Sequence, residues 1–136
     1  MSIGLLLITH PGIGPALLAT ARAILSGCPL RARCIEVPPD ADTEQLLARA
    51  QGEIDSMDDG SGVLVLTDAY GATPSNIACA LPERERIKVV SGVNLPMLIR
   101  IFNYAQEDLE SITAKATEGG RRGIRTTCLE EGEGSC

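Results

Sequence analysis

The chain contains one histidine, no tryptophan and only three aromatic residues in 136 positions. A tetrahedral metal site needs clustered histidine and cysteine ligands, and a single histidine with five scattered cysteines offers no such cluster. The longest apolar run falls far short of the roughly 20 residues that a membrane-spanning helix needs. The core must therefore consist mainly of Val, Ile, Leu and Ala, a composition typical of parallel sheets covered by helices.

Basic residues are also scarce, since 12 Lys and Arg face 18 Asp and Glu for a net charge of -6. This charge disfavours a nucleic-acid-binding protein and would steer a basic partner toward the chain. The odd number of cysteines, and an N-terminus without a basic segment or cleavage site, predict free thiols in a cytoplasmic protein without membrane insertion. The length predicts one domain over residues 1–136, and the tail from about 130 to 136 is expected to be disordered.

Short apolar strands alternate with amphipathic helices along the chain. The predicted strands are 3–9, 32–37, 62–68 and 86–92. Helices are predicted to begin at Pro15, at Asp42, at Thr73 as N-cap with Pro74 as the first helical residue, and at Asn94, and a fifth is predicted to end at Gly119 and Gly120. This order predicts an open, doubly wound α/β sheet of four parallel strands with helices on both faces. Residues 123–131, "GIRTTCLEE", could add a strand at one edge.

Polar residues follow three of the predicted strands. They are Thr9 and His10, then residues 68–73, then residues 91–94. Because ligands of open α/β sheets bind at the carboxyl ends of the strands, these groups are expected to converge. Each also has an ordinary structural explanation. A single histidine is often only packed or solvated, Asp68 and Thr73 could be turn or cap residues, Gly71 could be a turn glycine, and residues 92–98 could simply start a helix.

The chemistry of these residues suits an attack by histidine on an anionic group. A carboxylate such as Asp68 can accept the N–H of the His10 ring, which leaves the other ring nitrogen as the nucleophile. Thr73 and Ser75 open a helix whose first N–H groups are free to bind an anion, most readily a phosphate. Gly71 permits close approach of the backbone. The five cysteines are interpreted as structural or incidental.

Three motifs in order, "LLLITHPGIGPALL", "VLVLTDAYGATPSN" and "VVSGVNLPMLIRI", carry a family resemblance. From about residue 3 to 128 the chain resembles the EIIA domain of the mannose class of the bacterial phosphoenolpyruvate-dependent sugar phosphotransferase system (PTS). The resemblance implies a phosphotransferase component that takes a phosphoryl group from the phosphohistidine of HPr and passes it to a histidine of an EIIB partner. It implies no metal or dissociable cofactor.

The resemblance also assigns roles to individual residues. His10 corresponds to the phosphorylated histidine, with Nε2 carrying the phosphoryl group, and Asp68 to the aspartate that faces Nδ1. Thr73 corresponds to the hydroxyl residue near the phosphoryl group. The family forms a homodimer that exchanges an antiparallel C-terminal edge strand, for which residues 123–131 are the candidate. Pro11 and Ala72 depart from the family, which usually has a small residue after the histidine and two glycines in the second motif.

Two roles are compatible with the same residues. One is a phosphoryl carrier in sugar uptake, and the other is a stand-alone regulatory module whose His10 phosphorylation state is sensed by a protein partner without sugar transport. A hydrolase with His10 as base is disfavoured because the chain has no GxSxG nucleophile elbow.

Overall fold

The computed structural model describes residues 2–83 and 86–127. Its strands are β1 (Gly4–Thr9), β2 (Arg31–Glu36), β3 (Val63–Thr67) and β4 (Ile87–Ser91). Its helices are α1 (Ile13–Leu25), α2 (Thr43–Met57), α3 (Thr73–Cys79), α4 (Leu95–Asn103) and α5 (Leu109–Arg122). The strand and helix order confirms the predicted alternation along the chain.

The four described strands form one parallel sheet in the order β2-β1-β3-β4. β1 and β3 lie side by side at the centre, and the chain leaves β1 for β2 on one side and reaches β3 on the other. In open α/β sheets such a reversal of strand order opens a crevice at the carboxyl ends of the two strands. His10 directly follows β1 and Asp68 directly follows β3, so both lie at this crevice.

Both central strands are buried on each face, which explains their continuous apolar sequences. One face packs against α1, α4 and α5, and the other packs against α2 and α3. Leu5, Leu7, Leu64 and Leu66 face the first layer, whereas Leu6, Ile8, Val63 and Val65 face the second. The doubly wound α/β architecture with helices on both faces is therefore confirmed.

Two helix caps formed as the sequence predicts. The Asp42 side chain accepts hydrogen bonds from the backbone N–H groups of Glu44 and Gln45 at the start of α2. Asn94 accepts one from Met97 N at 3.0 Å and starts α4. These caps satisfy N–H groups that have no partner inside the first helical turn.

The predicted end of α5 at Gly119 and Gly120 is wrong, because the helix continues to Arg122. Close packing against α4 explains why glycine is present inside it. A Cβ added at Gly119 would lie 2.6 Å from Arg100 Cβ, and one at Gly120 would lie 2.8 Å from Met97 Cε. These glycines allow α4 and α5 to approach each other and do not end the helix.

The predicted N-cap of α3 is also wrong. Ala72 occupies that position with extended backbone, and Thr73 and Pro74 lie inside the first turn. Pro74 is tolerated there because first-turn N–H groups have no intrahelical acceptor. The Thr73 side chain is therefore not used for capping.

The predicted C-terminal strand 123–131 is only partly within the described residues. Residues 124–127 have no regular secondary structure, and the rest of that segment lies outside the described ranges, as does the predicted tail 130–136. The exchanged strand stays a prediction.

Candidate functional site

His10 and Asp68 form a close pair at the crevice between β1 and β3. Asp68 Oδ2 lies 2.7 Å from His10 Nδ1 and also accepts a hydrogen bond from His10 N at 2.9 Å. One carboxylate oxygen thus holds both the backbone and the ring of the histidine. The Asp68 side chain is 8% exposed, whereas that of His10 is 47% exposed. Asp68 therefore holds the ring at Nδ1, while about half of the His10 side chain is exposed to solvent.

The charge of Asp68 determines which nitrogen of the ring can react. Burial raises the pKa of Asp68, but the hydrogen bonds donated by His10, a hydrogen bond from the adjacent backbone and the charge of His10 together outweigh it, so the pKa lies below its ordinary value. The carboxylate is ionised at neutral pH and can only accept. Its partner Nδ1 must then carry a hydrogen, and Nε2 of the neutral ring keeps its lone pair as a nucleophile.

The buried side chain of Thr9 stabilises the turn at residues 10–12, between β1 and α1. Its fully buried hydroxyl donates to the His10 carbonyl at 2.8 Å and accepts from Gly14 N at 2.9 Å. One side chain thus ties the residue after β1 to the first turn of α1. The sequence grouped Thr9 with His10 but assigned it no role, although a hydroxyl at the end of a fully apolar strand was a usable signal.

The start of α1 differs from the prediction. Gly12 has φ +84° and is the N-cap, so the helix begins at Ile13, two residues before Pro15. Gly12 N donates to Glu36 Oε1 at 2.6 Å. Glu36 is the last residue of β2 and pairs with Thr9 in the sheet register. Sequence reasoning missed Glu36, because no motif marks it.

The segment between β3 and α3 holds the other predicted residues. Gly71 has φ +86°, a conformation that favours glycine, while Ala72 has φ -81° and is unstrained. The side chain of Thr73 is exposed, and its hydroxyl makes no hydrogen bond to any described residue. The N–H groups of Thr73 and Ser75 also lack an acceptor within the described ranges.

Ser75 differs from Thr73 because its side chain is buried. Ser75 Oγ lies 3.1 Å from Ser91 Oγ, which accepts a hydrogen bond from Thr67 Oγ1 at 2.8 Å. These three hydroxyls join the ends of β3 and β4 to the first turn of α3. Ser75 can therefore offer its backbone N–H to a ligand, whereas its hydroxyl holds the segment in place.

The third predicted group of polar residues, 91–94, has mainly structural contacts. Asn94 caps α4 and also donates through Nδ2 to the Gly120 carbonyl at 3.1 Å, which joins α4 to the end of α5. Ser91 belongs to the buried hydroxyl chain.

Within residues 2–83 and 86–127, no group of three or more His, Cys, Asp or Glu side chains is arranged to hold a metal ion. In the same ranges no helix is long and apolar enough to cross a membrane. Cys28, Cys34 and Cys79 are free thiols, and burial raises the pKa of the Cys34 thiol, which keeps it protonated at neutral pH. The other two cysteines lie outside the described residues.

The comparison with known families adds to this geometry. Residues 4–117 match the family EIIA-man, described as "PTS system fructose IIA component". The chain belongs to the EIIA-man family.

Solved structures agree with this assignment. The mannose/sorbose-specific IIA subunit of the phosphotransferase system from Enterococcus faecalis is 26% identical, with a TM-score of 0.81 over 96% of this chain and 98% of that one. The phosphotransferase system component EIIA from Streptococcus agalactiae is 25% identical, with a TM-score of 0.78 over 91% and 96% of the two chains.

A similar sequence forms part of a longer relative. The PTS system mannose-specific EIIAB component of Escherichia coli K12 is 30% identical over 128 residues, which cover 92% of this chain. The chain spans 39% of the length of that relative.

Proposed function

We propose that this chain is a phosphoryl carrier of the sugar phosphotransferase system and that His10 receives the phosphoryl group. The observation that carries the proposal is the His10–Asp68 pair, with Nδ1 held at 2.7 Å by a nearly buried carboxylate and the ring half exposed. Membership of the EIIA-man family supports the same role. The phosphoryl donor is the phosphohistidine of HPr, and the acceptor is a histidine of EIIB.

The proposed reaction is a direct transfer between nitrogens. The lone pair of Nε2 attacks phosphorus as the P–N bond of phospho-HPr breaks, and the departing nitrogen keeps the electron pair of that bond. The His10 ring gains positive charge, which Asp68 stabilises through the Nδ1–H bond. The transition state of phosphoryl transfer is loose and in line, so positioning and electrostatics supply most of the catalysis. Transfer to EIIB repeats these steps in reverse.

The segment before α3 is the proposed contact for the phosphoryl oxygens. The Thr73 hydroxyl and the N–H groups of Thr73 and Ser75 have no partner among the described residues, and Gly71 leaves the backbone accessible. Hydrogen-bond donors of this kind stabilise charge on transferring oxygens.

The proposed assembly and partners rest on membership of the EIIA-man family. The chain would form a homodimer through exchange of an antiparallel strand from residues 123–131, and it would act in the cytoplasm, where HPr is available. The EIIAB name of the Escherichia coli relative supports an EIIB partner for this chain.

Phosphorylation in a reconstituted system tests the proposal. The chain is mixed with phosphoenolpyruvate, enzyme I and HPr, and labelled protein is examined for acid-labile, base-stable phosphate. Because the sequence holds one histidine, His10→Ala should abolish all phosphohistidine on this chain. Circular dichroism checks that the variant remains folded. Absence of label on the wild type, or undiminished label on His10→Ala, would refute the proposal.

A further inference from the structure

The backbone N–H groups next to His10 have a complete set of partners. Two of the seven residues in the segment 10–16 are prolines and have no N–H. The other five N–H groups donate, in chain order, to Asp68 Oδ2, Glu36 Oε1, the His10 carbonyl, Thr9 Oγ1 and the Gly12 carbonyl. The first turn of α1 therefore offers no free N–H to an anion on His10.

The acceptor at Gly12 is itself an anion. Helix N-termini attract negative charge through their free N–H groups and the helix dipole. At the N-terminus of α1 the Glu36 carboxylate occupies the position that such an anion would take, with Oε1 2.6 Å from Gly12 N. Without Glu36, Gly12 N–H would be the one N–H group of residues 10–16 left without an acceptor, because Pro11 has none to offer and the others donate to other atoms.

Glu36 is also close enough for its charge to act on a phosphoryl group at His10. Two residues of extended chain span at most about 7 Å, and Glu36 Oε1 lies 2.6 Å from Gly12 N, so the carboxylate lies within about 10 Å of the His10 backbone. A phosphoryl group on the ring is therefore on the order of 10 Å from Glu36. The carboxylate is exposed, and Glu36 makes no salt bridge with a described residue. Within residues 2–83 and 86–127, no Lys or Arg side chain therefore neutralises its negative charge directly.

We propose that Glu36 is a positioning residue that orders the His10 turn and, through its charge, raises the phosphoryl-transfer potential of phosphorylated His10. This inference rests on the proposed function. Repulsion between the carboxylate and the phosphoryl oxygens destabilises the phosphorylated form, and it is relieved when the P–N bond to Nε2 breaks and the group moves to the acceptor nitrogen. Glu36 thus favours onward transfer over retention.

The expected size of the effect follows from Coulomb's law. One unit charge about 10 Å from a phosphoryl dianion in water changes the equilibrium constant by roughly two- to fourfold at low ionic strength. At about 0.5 M salt, screening should reduce this to less than about 1.3-fold. A purely structural role for Glu36 would give no such dependence on salt.

The test measures the equilibrium between phospho-HPr and this chain. Wild type, Glu36→Gln and Glu36→Ala are equilibrated with phospho-HPr at about 20 mM and about 500 mM salt, and the phosphorylated fraction is read by intact mass. Glu36→Gln keeps an oxygen acceptor for Gly12 N–H and loses only the charge. It should raise the equilibrium constant for phosphorylation of His10 by about two- to fourfold at low salt. Glu36→Ala should show the same shift together with faster hydrogen exchange at the Gly12 amide.

Glu110→Gln is the matched control, since it makes the same change of net charge on an exposed residue. Glu110 lies in the first turn of α5, beside Leu109, whose Cδ2 would lie 2.8 Å from a Cβ added at Gly62. Gly62 directly precedes β3, so Glu110 is near the amino ends of the strands, whereas His10 is at their carboxyl ends. An unchanged or lowered constant in Glu36→Gln, an equal shift in Glu110→Gln, or a shift that persists at high salt would overturn the inference. A wild type that takes up no phosphoryl group from phospho-HPr would instead refute the proposed function.

Discussion

Replacing Asp68 by asparagine tests the central contact of the proposed mechanism. In the wild type, Oδ2 accepts from both His10 N and the ring nitrogen Nδ1. The amide of asparagine retains one accepting oxygen, but it has no charge to stabilise the imidazolium that develops during transfer. Loss of a charge-assisted hydrogen bond costs about 1.5–3 kcal/mol. Applied to the transition state, this slows phosphorylation by roughly 10- to 150-fold.

The assay is rapid-quench measurement of label transfer from phospho-HPr to Asp68→Asn at saturating donor. Asp108→Asn is the matched control, because it makes the same chemical change at the N-cap of α5, where asparagine caps as well as aspartate. The control should transfer at the wild-type rate. If folded Asp68→Asn accepts the phosphoryl group within about twofold of the wild-type rate, Asp68 does not stabilise the transition state and the mechanism is wrong.

Two further predictions concern stability. Gly119→Ala should lower the free energy of unfolding by about 1–2 kcal/mol in urea titrations, because overpacking against Arg100 outweighs the helix propensity gained. Gly52→Ala in α2, where an added Cβ meets nothing within 4 Å, should instead stabilise, and equal effects of the two changes would contradict the packing argument. Because the pKa of Asp68 is lowered in the folded state, its contribution to stability is complete above about pH 4–5 and is lost as the pH falls through the folded-state value. The stability difference between wild type and Asp68→Asn, measured by urea unfolding from pH 7 to pH 3, should therefore shrink on acidification, and a constant difference would refute the linkage.

The sequence was most informative where a local pattern had one physical outcome. Continuous apolar strands alternating with helices required a buried parallel sheet, and the carboxyl ends of parallel strands share one edge. That geometry is sufficient to expect His10 and Asp68 near each other. Asp42 and Asn94 were predictable as caps because their side chains bond to N–H groups two or three residues away.

Such local patterns do not predict contacts between residues that are far apart in the sequence. Gly119 has the appearance of a helix end, yet its place inside α5 depends on how closely Arg100 approaches from α4. The local pattern also misplaces the start of α3 by one residue, because the extended N-cap residue is Ala72 and not Thr73.

The sequence by itself determined the α/β class, the parallel sheet and the edge at which the polar residues gather, since these follow from hydrophobic periodicity and short-range hydrogen bonding. The tertiary structure alone decided that Thr9 and Glu36 hold the His10 turn and that every N–H group of residues 10–16 has an acceptor. Those contacts depend on the register between β1 and β2 and on the positive φ of Gly12. The physical reason is that hydrogen bonds between segments far apart in sequence depend on distances that only the folded chain sets.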